Sequence, residues 1–174
     1  PVFCKAEHLM DQVRIVKDPE EIDRLRKVGK LTDKAVEAVI PRIKKGVTQR
    51  ELRLELEFEG RRLGASDVSF PPWIGFVKSG SKASASLVTC SVDAGLKPGT
   101  SVAFDNGFVL DGYCSDFGRS FYFGPAGTEV KKGYQALQRA VVETVDKMKE
   151  GAMHVYEVFL AIEKSLDKSG FGDY

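Results

Sequence analysis

Two aspartates, Asp105 and Asp116, stand eleven residues apart in the segment that runs from Phe104-Asp105-Asn106-Gly107 to Asp116-Phe117-Gly118-Arg119. Ser101 to Asp105 and Arg119 to Phe123 read as strands, joined across a turn near Asp111-Gly112. If they form an antiparallel hairpin centred between Leu110 and Asp111, the two aspartates are direct cross-strand partners on one face, with Cβ atoms about 5 Å apart. Carboxylates so placed repel unless a cation or a shared proton lies between them. Oxygen ligands converging on one point suit a hard divalent metal. The competing reading is a pair of solvated turn and edge carboxylates. A turn centred on Asp111-Gly112 itself shifts the register by one residue and calls for a bulge to restore the pairing.

Other residues with chemical potential are few. Cys4, Cys90 and Cys114 lack metal-type spacing and fit a reducing compartment better than a disulfide framework. Cys114, next but one to Asp116, is expected to point away from the metal face and reads as a small buried hydrophobe. The only histidines are His8, ahead of the first firm element, and His154, at the start of an expected helix, where a capping or surface role is the simpler reading. Arg119 is expected to pair with a carboxylate and hold the hairpin. Trp73 and Phe76 are expected to pack in the core rather than line a pocket.

The elements that must position these residues have explicit boundaries. Asp18-Pro19-Glu20-Glu21 combines an N-cap, a proline at the first helical position and a capping box. The helix it opens carries Ile22, Leu25, Val28, Leu31, Ala35, Val36, Val39 and Ile43 on one stripe that is expected to face a core up to Gly46, with Pro41 disturbing its last turn. A second box, Thr48 to Glu51, precedes a stretch whose leucines alternate as in a strand; the cap and the helix-forming composition decide for helix, with Leu52, Leu56 and Leu63 inward. From Val68 to Arg119 short strands and loops are expected, including a loop at Ser79-Gly80-Ser81-Lys82. Helices return from Thr128 to Met148, with Tyr134, Leu137, Val141, Val145 and Met148 on one stripe, and from His154 to Lys168. This helix pair repeats the first at an offset of about one hundred residues. The second copy lacks the strands that follow the first, so the chain is expected to be missing its final strands.

Composition bounds the function. The 174 residues are 43% hydrophobic and 29% charged, enough for one folded domain and too apolar for disorder. A net charge of +1 with scattered basic residues gives no electrostatic case for nucleic acid or a membrane surface. There is no long apolar run and no signal-peptide pattern, so a cytoplasmic protein is expected.

The segment from Val102 to Gly124 resembles the metal-binding hairpin of the pita-bread metallopeptidases, the family of methionine aminopeptidase, aminopeptidase P, prolidase and creatinase. The two aspartates at this spacing, Gly107, the Gly112-Tyr113 pair and Arg119 all match. Arg14 to Ile22 resembles the beginning of the catalytic domain in the prolidase and aminopeptidase P branch. The resemblance implies an α+β pita-bread fold with a pseudo-two-fold αβ repeat whose second half is incomplete. Residues 1–13 would be a linker or the end of a preceding domain, and residues 14–174 a partial catalytic domain. It implies two divalent metal ions (Mn, Co, Zn or Fe) in the complete protein, with Asp105 binding one and Asp116 bridging both, and Arg119 behind them. It also implies a peptide or small amide substrate of the Xaa-Pro type and, as in family members, a homodimer. The family's remaining ligands, one His and two Glu, lie beyond Tyr174, so the chain alone is expected to be metal-free or weakly binding and inactive. The sequence departs from the pattern where peptidase members carry a histidine seventeen or eighteen residues before the first metal Asp. Here that position is Leu87 or Val88, and no histidine lies between Ser79 and Asp105. Gly118 likewise stands where a hydroxyl residue is usual. These departures keep two alternatives open, a non-catalytic peptidase-like binding module and a creatinase-like C–N hydrolase.

Overall fold

The computed structural model describes residues 8–78 and 91–172. The expected loop at Ser79 to Lys82 and the Leu87/Val88 position lie outside them. The chain divides into two compact units, one ending at Gly124 and one beginning at Pro125.

The first unit opens with a short helix, α1 (Leu9–Ile15), followed by α2 (Pro19–Val39) and α3 (Gln49–Arg62). Both expected capping boxes form. Asp18 accepts from the Glu21 backbone N–H at 2.9 Å while Glu21 accepts from that of Asp18 at 2.8 Å. Thr48 and Glu51 reciprocate at 3.1 and 2.8 Å. The proline disturbance is also present, because Pro41 lacks an N–H and the chain tightens into a 3₁₀ turn over Ile40–Arg42.

Among the described residues six strands follow: β1 (Asp67–Val68), β2 (Trp73–Lys78), β3 (Thr100–Asn106), β4 (Phe108–Leu110), β5 (Tyr113–Cys114) and β6 (Phe117–Phe123). They form two antiparallel sheets, ordered β2-β3-β6 and β1-β4-β5. The two helices cover one face of the sheets. Val28, Ala35, Val36 and Val39 of α2 and Leu52 and Leu56 of α3 share a core with Ile74, Phe76, Val102, Phe104 and Phe108. Trp73 departs from expectation: it is only half-buried and outside that core. Cys114 departs too, being exposed at the hairpin tip.

The second unit is a helix pair, α4 (Thr128–Glu150) and α5 (Val155–Lys168). Both boundaries of α3 recur in α5 displaced by 106 residues, 49 to 155 and 62 to 168, in accord with the repeat. On α4 the apolar stripe of Tyr134, Leu137, Val141, Val145 and Met148 is exposed, and the buried residues are Ala136, Ala140 and Thr144. No helix of the described residues is long and apolar enough to cross a membrane.

Candidate metal-binding hairpin

The hairpin that carries both aspartates keeps a single register from end to end. Leu110 pairs with Tyr113 around a two-residue turn, and Asp111 and Gly112 both have positive φ, 52° and 79°. This is the backbone that Asp-Gly favours in a tight hairpin. The same register, carried through to β3 and β6, sets Asp105 opposite Gly118. The direct pairing of Asp105 with Asp116 therefore does not occur, and no bulge restores it. Asp116 lies two residues before Gly118, just ahead of β6, as a diagonal neighbour of Asp105.

Diagonal neighbours in such a ladder stand about 7–8 Å apart. Metal–oxygen bonds of about 2.0–2.2 Å let carboxylates at that separation lean onto one ion or onto an adjacent pair. Both side chains are exposed, and among the described residues neither is engaged by a hydrogen bond or an ion pair. Two free carboxylates are suitable donors for a hard divalent cation. They are also an incomplete set, since the described residues contain no group of three or more His, Cys, Asp or Glu able to hold a metal.

The surroundings of Asp105 follow from strand alternation. Thr100, Val102, Phe104 and Asn106 point to the helix-covered face and are all at most 4% exposed, while Asp105 is on the opposite face. Its neighbour there on β2 is Trp73. The next row on that face is Gly75, Ala103 and Ser120. The Trp73 indole lies across Gly75, where an added Cβ would sit 2.2 Å from the ring. The result is a row of small residues beside the carboxylate, covered at its Gly75 end by one large aromatic. Sequence reasoning did not place Trp73 there, because the register of β2 against β3 depends on a long connection rather than on a local turn.

Arg119 faces the other way. Opposite Phe104 in the ladder, it holds its guanidinium 3.8 Å from the Phe117 ring centre and pairs with Asp33 of α2 at 3.6 Å. It ties β6 to α2, in keeping with its expected partner type. The hairpin tip is fixed to the same helix: the Tyr113 hydroxyl donates to Glu21 at 2.9 Å, and Arg24 lies over the Tyr113 ring and donates to the Asp111 carbonyl. The hydrogen bond to the Glu21 carboxylate, with burial second, raises the Tyr113 pKa above that of an ordinary tyrosine. Gly107 sits where the chain crosses itself, with no room for a side chain between Ser115 and Ser69. His8 and His154 occupy the N-cap positions of α1 and α5, and the Glu157 side chain accepts from the His154 backbone at 2.8 Å.

Comparison with known proteins is specific. The sequence pattern of metallopeptidase family M24 matches residues 23–174. A Bacillus subtilis (strain 168) protein with the provisional name dipeptidase YkvY is 30% identical over 172 residues, 99% of this chain and 46% of its own length. The prolidase from Pyrococcus furiosus superposes with a TM-score of 0.83 at 25% identity, covering 99% of this chain and 50% of that one. The recombinant prolidase from Thermococcus sibiricus gives 0.80 at 30% identity, covering 95% and 44%. The chain spans about half the length of the curated relatives it matches.

Proposed function

Because this chain belongs to metallopeptidase family M24 and shares the pita-bread fold of its solved prolidases, we propose that it supplies the two-aspartate part of a divalent-metal centre in a peptidase that cleaves an N-terminal, Xaa-Pro type peptide bond. The observation that carries this reading is the pair of carboxylates, Asp105 on β3 and Asp116 just ahead of β6, held in one register and unengaged among the described residues. Exposed carboxylates with no partner on a rigid ladder are preorganised for a cation, since no internal bond must break for it to bind. When bound, metal in such a site supplies Lewis acidity and a water of lowered pKa. Asp105 and Asp116 would hold that metal, with Trp73 as an apolar wall beside it and no large side chain opposite Asp105 at Gly118.

The expected set of further ligands, one His and two Glu, makes two ions the expected load of the full-length protein and weak or no uptake the expectation for the 174-residue chain. The test is metal content and hydrolysis of Xaa-Pro dipeptides by the full-length protein, with Asp105→Ala plus Asp116→Ala as control. Metal and activity present together, and lost together in the double variant, support the reading. A fully loaded but inactive protein refutes the peptidase part, and a protein that takes up no metal under added Mn or Co favours the second reading, a binding module. The observation behind that alternative is the absence of any histidine between Ser79 and Asp105, which removes an expected proton-transfer group.

A further inference from the structure

α2 presents an apolar stripe to the core, Val28, Leu31, Ala35, Val36 and Val39, yet one of its fully buried positions is a threonine. Thr32 Oγ1 lies 2.6 Å from Ser115 Oγ and 2.9 Å from the Val28 carbonyl. Ser115 Oγ in turn lies 2.9 Å from the Phe108 backbone nitrogen. The Phe108 N–H donates to Ser115 and the Val28 carbonyl accepts from Thr32, because a backbone N–H only donates and a carbonyl only accepts. With Thr32 donating to Val28, Ser115 donates to Thr32 at 2.6 Å, the shorter of its two acceptor distances, the other being the Phe108 carbonyl at 3.4 Å. Three bonds in series, away from water, polarise one another.

The rest of Ser115 is held as well. Its backbone N–H donates to the Phe108 carbonyl at 2.9 Å, and its carbonyl accepts from Ser69 Oγ at 2.8 Å. Ser69 is itself anchored through its backbone N–H to the Gly107 carbonyl at 3.0 Å. Every polar atom of Ser115 is thus engaged, and Ser115 is the residue immediately before Asp116. The contrast between the two neighbours is the informative feature: one residue is immobilised at three atoms from three elements, and the next presents a carboxylate with no partner.

We propose that Thr32 and Ser69 are positioning residues for Asp116, fixing through Ser115 the backbone from which its carboxylate projects toward the metal. This rests on the metal-site reading above and goes beyond it by assigning roles to residues on α2 and beside β1, outside the aspartate hairpin. A threonine inside a helix stripe gains little from bonding its own i−4 carbonyl. A valine of the same shape would fill the core equally well and remove the 2.6 Å partner of the Ser115 hydroxyl, leaving it only the longer bond to the Phe108 carbonyl at 3.4 Å.

The experiment uses the full-length protein and Mn²⁺ alone as probe, with affinity read by the loss of free-ion EPR signal and the environment of bound ion by its hyperfine pattern. Thr32→Val is expected to weaken Mn²⁺ binding about tenfold, the scale typical of residues that orient ligands. It should also broaden the bound-ion spectrum while metal-free melting stays cooperative. Thr32→Ser restores wild-type affinity, which a purely volume-filling role does not predict. Ser69→Ala, at a half-buried site, gives a loss in the same direction and serves if Thr32→Val fails to fold. Wild-type affinity in both Thr32→Val and Ser69→Ala overturns the proposal while leaving the metal site standing. A wild-type protein that takes up no Mn²⁺ overturns both.

Discussion

Replacing Gly107 by alanine tests whether the crossing beneath the two aspartates is as tight as the structure requires. An added Cβ would stand 2.0 Å from the Ser115 carbonyl oxygen and 2.1 Å from Ser69 Oγ, far inside contact distance. The Gly107 φ lies outside the left-handed region, so the cost comes from packing rather than from the backbone angle. Relief requires Ser115 to retreat by about 1 Å, which breaks the 2.8 Å bond from Ser69. Overpacking costs about 1–3 kcal/mol and the lost hydrogen bond about 1 kcal/mol. Reduced freedom of the unfolded chain returns about 0.4–1 kcal/mol, so the net destabilisation is about 1–3.5 kcal/mol. Urea unfolding of the full-length protein measures it, with Gly29→Ala as the counterpart. Gly29 lies within α2 with no heavy atom within 4 Å of an added Cβ, so that change should stabilise by about 0.5–1 kcal/mol. A Gly107→Ala protein within about 0.5 kcal/mol of wild type, a margin ordinary for surface changes, would refute the crossing as described.

Other consequences follow from the same geometry. Thr48→Ala removes the cap of α3 and should cost about 1 kcal/mol in chemical unfolding. Its partner Glu51 has a pKa held below the ordinary glutamate value, chiefly by its hydrogen bond to the Thr48 backbone. Its contribution to stability is therefore full above the unfolded-state pKa and lost as pH falls through the lower folded value, and Glu51→Gln should flatten the acid limb of the stability profile. At the alkaline end, Tyr113 has a raised pKa, so its contribution is full below the ordinary tyrosine value and lost as pH rises through the folded one. Absorbance titration should show a late-ionising tyrosine that reverts in Glu21→Gln. Asp33→Asn opens an exposed ion pair to Arg119 and should change stability by less than about 1 kcal/mol. Trp73 is the sole tryptophan of the 174 residues and neighbours Asp105 across the ladder. Co²⁺ at about millimolar concentration or above, the weak range expected of two carboxylates, should quench its fluorescence in this chain, and Asp105→Ala should abolish the effect.

The parts of this fold written in local chemistry were legible. Asp18-Pro19 with Glu21, and Thr48 with Glu51, specify helix starts through bonds that close within four residues, and both boxes form as read. Pro41 likewise acts on its own turn. The register of the aspartate hairpin was equally local but was centred one position early. Asp111-Gly112 prefers the two central sites of a tight turn, and giving that preference priority sets Leu110 against Tyr113 and Asp105 against Gly118. What could not be read depends on distant partners. Thr32 appears in sequence only as a polar break in an apolar stripe; its meaning requires Ser115, eighty-three positions away. Cys114 was expected inside, yet it stands two residues before Asp116 and so shares its exposed side, while Ser115 between them turns toward α2. On α4 several apolar residues were available for the inward stripe, and periodicity alone did not choose the buried Ala136, Ala140 and Thr144.

The central claim is that Asp105 and Asp116 bind metal together. Elemental analysis of the full-length protein after Mn²⁺ loading and gel filtration, beside Asp105→Ala, Asp116→Ala and the double variant, addresses it most directly. The account predicts stoichiometric metal in the wild type, a large loss in each single variant and none retained in the double variant, with all four proteins folded. Metal retained at full stoichiometry in the double variant, or absent from the wild type under saturating Mn²⁺ and Co²⁺, would contradict it.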